Sequence, residues 1–224
     1  MRIAILITGH VRNSLEYNDL TNVINKIQKL GECDIYSITS NKKDHSTKTW
    51  YHIDESLQNQ NIDYYRLLKT INFKKIQIYE EKQYPQLIKD KLWGRSPLSY
   101  VGVESIYKNI KNCLNLLETE YDYIFRLRYD YYKFDNGKYT EKIIHFIQNF
   151  DFKYNNVTSL KVGNYRGEDS FFVSDSKNFI KIIDFIVNNF AILEEYARKA
   201  EYYFMPEDLI KYSCNKQNIS YTVI

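Results

Sequence analysis

Three cysteines, three prolines and seven glycines in 224 residues are too few for a disulfide framework, a proline-rich spacer or a glycine-rich flexible tract. Cys33, Cys113 and Cys214 are odd in number and far apart, so neither paired disulfides nor a zinc knuckle is expected, and they read as reduced core residues. Long hydrophobic runs are missing as well. No stretch approaches the roughly 18 apolar residues of a membrane span. The opening run through Ile7 is too short for the core of an export signal and passes at once into polar His10, Arg12, Asn13 and Ser14, so it reads as a first β-strand. Charge of one sign is also lacking, with 31 Lys and Arg against 28 Asp and Glu and a net charge of +3. Both signs are mixed along the chain, and no basic block with interleaved aromatics tracks a phosphate backbone, which argues against a nucleic-acid partner. These absences predict a soluble cytoplasmic protein, at most peripheral to the cytoplasmic membrane face.

What is present suits a full hydrophobic core: 44% of residues are hydrophobic, and tyrosine alone accounts for 22. Periodicity switches repeatedly between strand and helix. Ile3 to Ile7 is followed by Leu20, Val23, Ile24, Ile27 and Leu30 at helical spacing, with Gly31 as a stop. Cys33 to Ser40 reads as a second strand and Lys74 to Tyr79 as a third. Between them, Asn41 to Asn61 reads as a polar, irregular excursion carrying His45, Trp50 and His52. After a loop marked by Pro85 and Pro97, Val103, Ile106, Tyr107, Ile110, Cys113, Leu114 and Leu117 form one helical stripe. Thr140 is expected to cap a helix through Ile144 and Ile147. Val157–Val162 and Ser170–Ser174 read as strands, Ser176 starts a long helix reaching Phe190, and Pro206 with Glu207 and Asp208 makes a helix start. The pattern predicts a single α/β domain over residues 1–224, with a mixed, mostly parallel sheet flanked by helices.

Charge appears in an unexpected place. Tyr121 to Asp130 reads as a buried strand, yet with a period of two Arg126, Arg128 and Asp130 share one face, opposite Phe125, Leu127 and Tyr129. Unpaired buried charge is costly, so this face is read as the wall of a charged cleft rather than a stabilising feature, against the alternative of an ion-pair network on an exposed edge strand. Ligands of such sheets sit at the carboxyl ends of strands, and three further groups fall there. In the first, Gly9 permits close backbone approach, and His10 and Arg12 offer cationic donors for a diphosphate. In the second, Glu168 and Asp169 are adjacent acids after Gly167 that could serve as general base or outer metal ligand, or form only a polar turn. In the third, Glu207 is an outside candidate, since helix capping already explains it. His45, His52 and His145 show no ligand spacing, and His145 reads as a residue of an amphipathic helix.

The segments "RIAILITGHVRN", "DIYSITS", "YDYIFRLRYD", "GEDSFFVSDSKNF" and "PEDLIKYSCNKQNI", in this order and spacing, resemble small GT-A glycosyltransferases of the lipopolysaccharide and capsule type. The similarity is nearest to the WavE-like group and to related domains of bacteria and large viruses, and it spans nearly the whole chain. The resemblance implies transfer of a sugar from a nucleotide-sugar donor to a hydroxyl of a glycan or glycolipid acceptor in surface polysaccharide synthesis. It further implies donor binding by Gly9, His10, Arg12, Arg126 and Arg128, and a divalent metal (Mn2+ or Mg2+) on Asp130. Asp169 falls at the position of the catalytic base in inverting members; in a retaining enzyme it would instead position donor or acceptor, with Glu168 beside it. The residues after Asp130 are Tyr131 and Tyr132, so the second carboxylate of the family's Asp-x-Asp motif is absent. A lone carboxylate still suffices for an ion that keeps several waters. The alternatives are a non-catalytic nucleotide- or sugar-binding module of the same fold and a nucleotidyltransferase, although the glycine-rich basic loop usual near the first strand of the latter is missing.

Overall fold

The computed structural model describes residues 1–44, 57, 60–80, 93–94, 100–131, 138–152, 155–160, 170–200, 204 and 208–223. In chain order the elements are β1 (Arg2–Thr8), α1 (Asp19–Ile27), β2 (Glu32–Ser40), α2 (Tyr64–Thr70), β3 (Lys75–Tyr79), α3 (Tyr100–Leu114) and β4 (Tyr123–Leu127). There follow α4 (Lys138–Gln148), β5 (Asn156–Ser159), β6 (Phe172–Asp175), α5 (Ser176–Asn188), α6 (Phe190–Lys199), α7 (Asp208–Lys216) and β7 (Ser220–Val223). The strands form one seven-stranded sheet in the order β3-β2-β1-β4-β6-β5-β7. Pairing is parallel except around β6, which runs antiparallel to both β4 and β5. This is the mixed, mostly parallel α/β sheet that the alternating periodicity predicts.

Strands buried on both faces lose the polar alternation of an exposed sheet. β1 obeys this, since Ile3, Ala4, Ile5, Leu6 and Ile7 are all fully buried. Ile3, Ile5 and Ile7 pack with the apolar stripes of α1 and α4. Ala4 and Leu6 face the other way, toward α3, α5 and α7. Gly31 follows α1 because the backbone of Met1 passes close by: a Cβ at Gly31 would meet the Met1 carbonyl oxygen at 2.7 Å. Among the described residues no helix is long and apolar enough to cross a membrane.

Several expectations shift for identifiable reasons. β4 pairs with β1 only as far as Leu127, so the strand read through Asp130 is shorter than expected, while Phe125, Leu127 and Tyr129 still share one core cluster. The next backbone N–H, that of Arg128, donates to the Tyr131 hydroxyl at 3.1 Å. Thr140 lies inside α4 rather than capping it, and its hydroxyl donates to Asp19 Oδ1 of α1 at 2.8 Å, tying the two helices together. The long helix divides at Asn189, which leaves helical geometry and whose side chain donates to the Phe185 carbonyl at 2.8 Å, the local competition typical of Asn. α2, within a polar window, is started by Asp63, whose carboxylate accepts from the Arg66 N–H at 2.9 Å. Of the expected strand Val157–Val162, positions 161 and 162 lie outside the described residues, as do Pro206 and Glu207.

All three thiols are free, as read from the sequence. Burial pushes Cys33 up to about 11, with the neighbouring charges of Asp34 and Glu32 adding to it, and pushes Cys214 up to about 12. Cys113, on the sheet-facing side of α3, is raised further by the same cause. A thiol reacts as its thiolate, so the native protein should react only slowly with a thiol-directed disulfide reagent at pH 8, and all three cysteines should react once it is unfolded in guanidinium. Rapid reaction of more than one thiol in the native state would contradict this packing.

Candidate functional site

From β1 the chain moves outward to β2 and β3, then crosses back through α3 to lay β4 on the other side of β1. The strand order therefore reverses between β1 and β4, and a crevice at the carboxyl ends of those strands is where ligands bind in sheets of this kind. The segments after β1, β2 and β4 meet there. Because β6 is antiparallel, with Phe172 opposite Arg126, its amino end lies at the same edge.

After β1, Gly9 takes a φ of +115 and Arg12 a φ of +50. Gly9 occupies a region closed to other residues, and Arg12 a left-handed one that they visit rarely. The Gly9 carbonyl accepts from the Thr39 hydroxyl at 2.8 Å, and the Arg12 N–H donates to the Lys43 carbonyl at 2.8 Å, so the loop is stitched to the end of β2. A Cβ at Gly9 would meet nothing within 4 Å, and Gly9→Ala therefore acts through the backbone alone. It should cost about 1–2 kcal/mol or reshape the loop, read as a lower melting temperature or weaker ligand binding. An unchanged melting temperature together with unchanged binding would show that this loop tolerates a side chain.

The charged side chains converge more tightly than the sequence indicates. Arg128 forks onto Asp130, Nε to Oδ1 at 2.8 Å and Nη2 to Oδ2 at 2.9 Å. Arg12 reaches the same carboxylate through Nη1 and a second one, Asp44, through Nε at 2.8 Å. His10 Nδ1 lies 3.9 Å from Asp44 Oδ1. Asp44 is fully buried and Asp130 is 2% exposed, whereas Arg12, Arg128 and His10 keep an edge in solvent. Asp44 was not singled out in the sequence, because it lies in a polar stretch without periodicity. Its place just past the end of β2, like those of the candidates after β1 and β4, is the signal that marks it.

Arg126 belongs to a different group. It is 2% exposed and donates from Nη1 to the Ser170 carbonyl at 2.7 Å and from Nη2 to the Thr8 hydroxyl at 3.3 Å. The Tyr131 hydroxyl donates to the same Ser170 carbonyl at 2.8 Å, and the Ser170 hydroxyl bonds that of Tyr139 at 2.6 Å. Arg126 thus fastens the entry of β6 to the end of β1, and these contacts give it a structural task beside the donor-binding role the resemblance implies. Nearby, the Tyr129 hydroxyl bonds Ser37 at 2.5 Å, and burial raises it well above the ordinary tyrosine value. Glu168, Asp169, Glu207, His45 and His52 lie outside the described residues; Ser170, which follows Asp169 in sequence, is buried at the carboxyl edge. His145 sits exposed on α4, as the amphipathic pattern predicts.

Among the described residues, this arrangement does not fit a divalent ion. Among the described residues no three His, Cys, Asp or Glu side chains converge on a point. Both oxygens of Asp130 already accept from guanidinium groups. An ion bound there would face Arg12 and Arg128 at roughly 5 Å, where repulsion amounts to several kcal/mol even at an effective dielectric of about 20.

No protein-family model matches the chain, and no curated protein matches it. Among solved structures it is similar to 4-diphosphocytidyl-2C-methyl-D-erythritol synthase from Anaerococcus prevotii, with a TM-score of 0.44 and 11% identity, over 99% of this chain and 87% of that one. A likeness at that level is silent on substrate.

Proposed function

We propose that the chain transfers a sugar from a nucleotide-sugar donor to a hydroxyl of a glycan or glycolipid acceptor, as a cytoplasmic step of surface polysaccharide synthesis. The supporting observation is the meeting of the Gly9–Arg12 loop with Arg128 and Asp130 at the carboxyl edge where the strand order reverses. That edge combines a backbone turn open to close approach with guanidinium groups in the fork geometry that suits phosphate oxygens.

On this reading the acceptor oxygen bonds to the anomeric carbon while the bond from that carbon to the donor phosphate breaks, and its electron pair leaves on the nucleoside diphosphate. Positive charge grows on the sugar and negative charge on the diphosphate, so preorganised cations beside the leaving group lower the barrier. Arg12, Arg128 and His10 are assigned to the diphosphate, and Gly9 to its backbone approach. Asp169 is assigned the acceptor proton, with Glu168 positioning it. Asp130 and Asp44 hold the guanidiniums in place, Asp130 by gripping the Arg128 fork with both oxygens and the two acids together by holding Arg12 between them.

The test is release of nucleoside diphosphate by the purified protein across a panel of nucleotide sugars, with and without sugar acceptors and with Asp130→Asn as control. Acceptor-stimulated release that the variant lacks supports the transferase. Tight donor binding without turnover in any combination would identify a binding module instead, and release of pyrophosphate from nucleoside triphosphates would identify a nucleotidyltransferase.

A further inference from the structure

Arg12 occupies the place between carboxylates that a bridging metal ion takes elsewhere. Its Nε donates to Asp44 at the end of β2 and its Nη1 contacts Asp130 at the end of β4, while its own backbone belongs to the end of β1. One cation therefore joins three strand ends at the point where the sheet reverses. Both acids are buried, and the side chain of Arg12 is only 11% exposed. The backbone is committed to this placement, with a left-handed φ of +50 and the N–H fixed on the Lys43 carbonyl at 2.8 Å. A non-glycine residue stays in that region only where the surrounding structure over-determines it.

We infer that Arg12 does the electrostatic work of a metal in this site, so that a nucleoside diphosphate binds through guanidinium groups and without a divalent ion. This rests on the nucleotide-sugar reading above. A guanidinium stays protonated at every working pH and carries five N–H donors, so it can serve carboxylates and phosphate oxygens together. The second carboxylate missing after Asp130 is supplied in space by Asp44, and the partner both acids share is Arg12. Asp44 is then a positioning residue, setting the plane of the Arg12 fork.

The experiment is calorimetric titration of the full chain with UDP, GDP, CDP and ADP, in manganese and again in EDTA, for the parent, Arg12→Lys and Arg12→Met. The parent should bind one diphosphate with affinities in the two buffers that agree within about threefold, and Arg12→Met should lose about tenfold or more. Arg12→Lys keeps the charge and loses the fork, so it should fall between them. Melting curves identify a variant that fails to fold, in which case the parent comparison and Arg12→Lys decide. Binding that appears only with manganese and survives Arg12→Met would overturn the inference while sparing the transferase. No binding of any diphosphate in either buffer would overturn both.

Discussion

Asp169→Asn is expected to lower sugar transfer by about 10²- to 10⁴-fold, the usual contribution of a general base, while donor affinity stays near the parental value. The substitution keeps volume and hydrogen-bonding capacity and removes basicity. Ser170, the next residue, is held through its carbonyl by Arg126 and Tyr131 and through its hydroxyl by Tyr139, so the chain beyond the substitution has its own anchors. A melting temperature within a few degrees of the parent is therefore expected. The stereochemical outcome gives an independent check by NMR of the product glycoside. A product that keeps the donor's anomeric configuration, or a variant that transfers at the parental rate, would remove Asp169 from the role of base.

Asp130→Asn should abolish most activity and also destabilise the fold, a larger structural effect than a solvent-exposed metal ligand would give. The amide cannot accept from Arg128 and Arg12 as the carboxylate does, and it leaves two guanidinium groups beside a buried position. Breaking a buried pair costs about 3–5 kcal/mol, and the partial exposure of both arginines lowers this to roughly 2–3 kcal/mol. For a chain of this size that corresponds to a fall in melting temperature of roughly 5–10 °C. Denaturant or thermal unfolding, followed with a diphosphate-binding titration, separates the two consequences. Unchanged stability with lost binding would show that Asp130 contacts ligand rather than arginine.

The periodic elements were legible because packing dictates them. Fully apolar β1, the stripe of α1 and the stripe of α3 each have one arrangement that buries their hydrophobic faces. Segments decided by local polar contacts were not legible in advance: the end of β4 depends on Tyr131 taking the Arg128 N–H, and the break at Asn189 on one side-chain hydrogen bond. At the site, Arg12, Arg128 and Asp130 could be singled out because charge beside a strand end is informative in one dimension. Their pairing could not, since Arg12 and Asp130 are far apart in sequence and meet only through the order in which β1 and β4 lie. Arg126 shows a different limit, because counting by twos gives its face but not its partners, and its contacts run to Ser170 and Thr8 rather than to Asp130. Asp44 carried no periodic or motif signal, and only the fold brings it to the carboxyl edge.

On the proposed reading, the carboxyl edge between β1 and β4 holds the donor diphosphate. A crystal structure of the protein with a bound nucleoside diphosphate tests it most directly. Phosphate density is expected beside the Gly9 backbone, with oxygens within hydrogen-bonding distance of the Arg12 or Arg128 guanidinium. A diphosphate seated elsewhere on the sheet, with the Arg12, Asp44 and Asp130 cluster untouched, would contradict it.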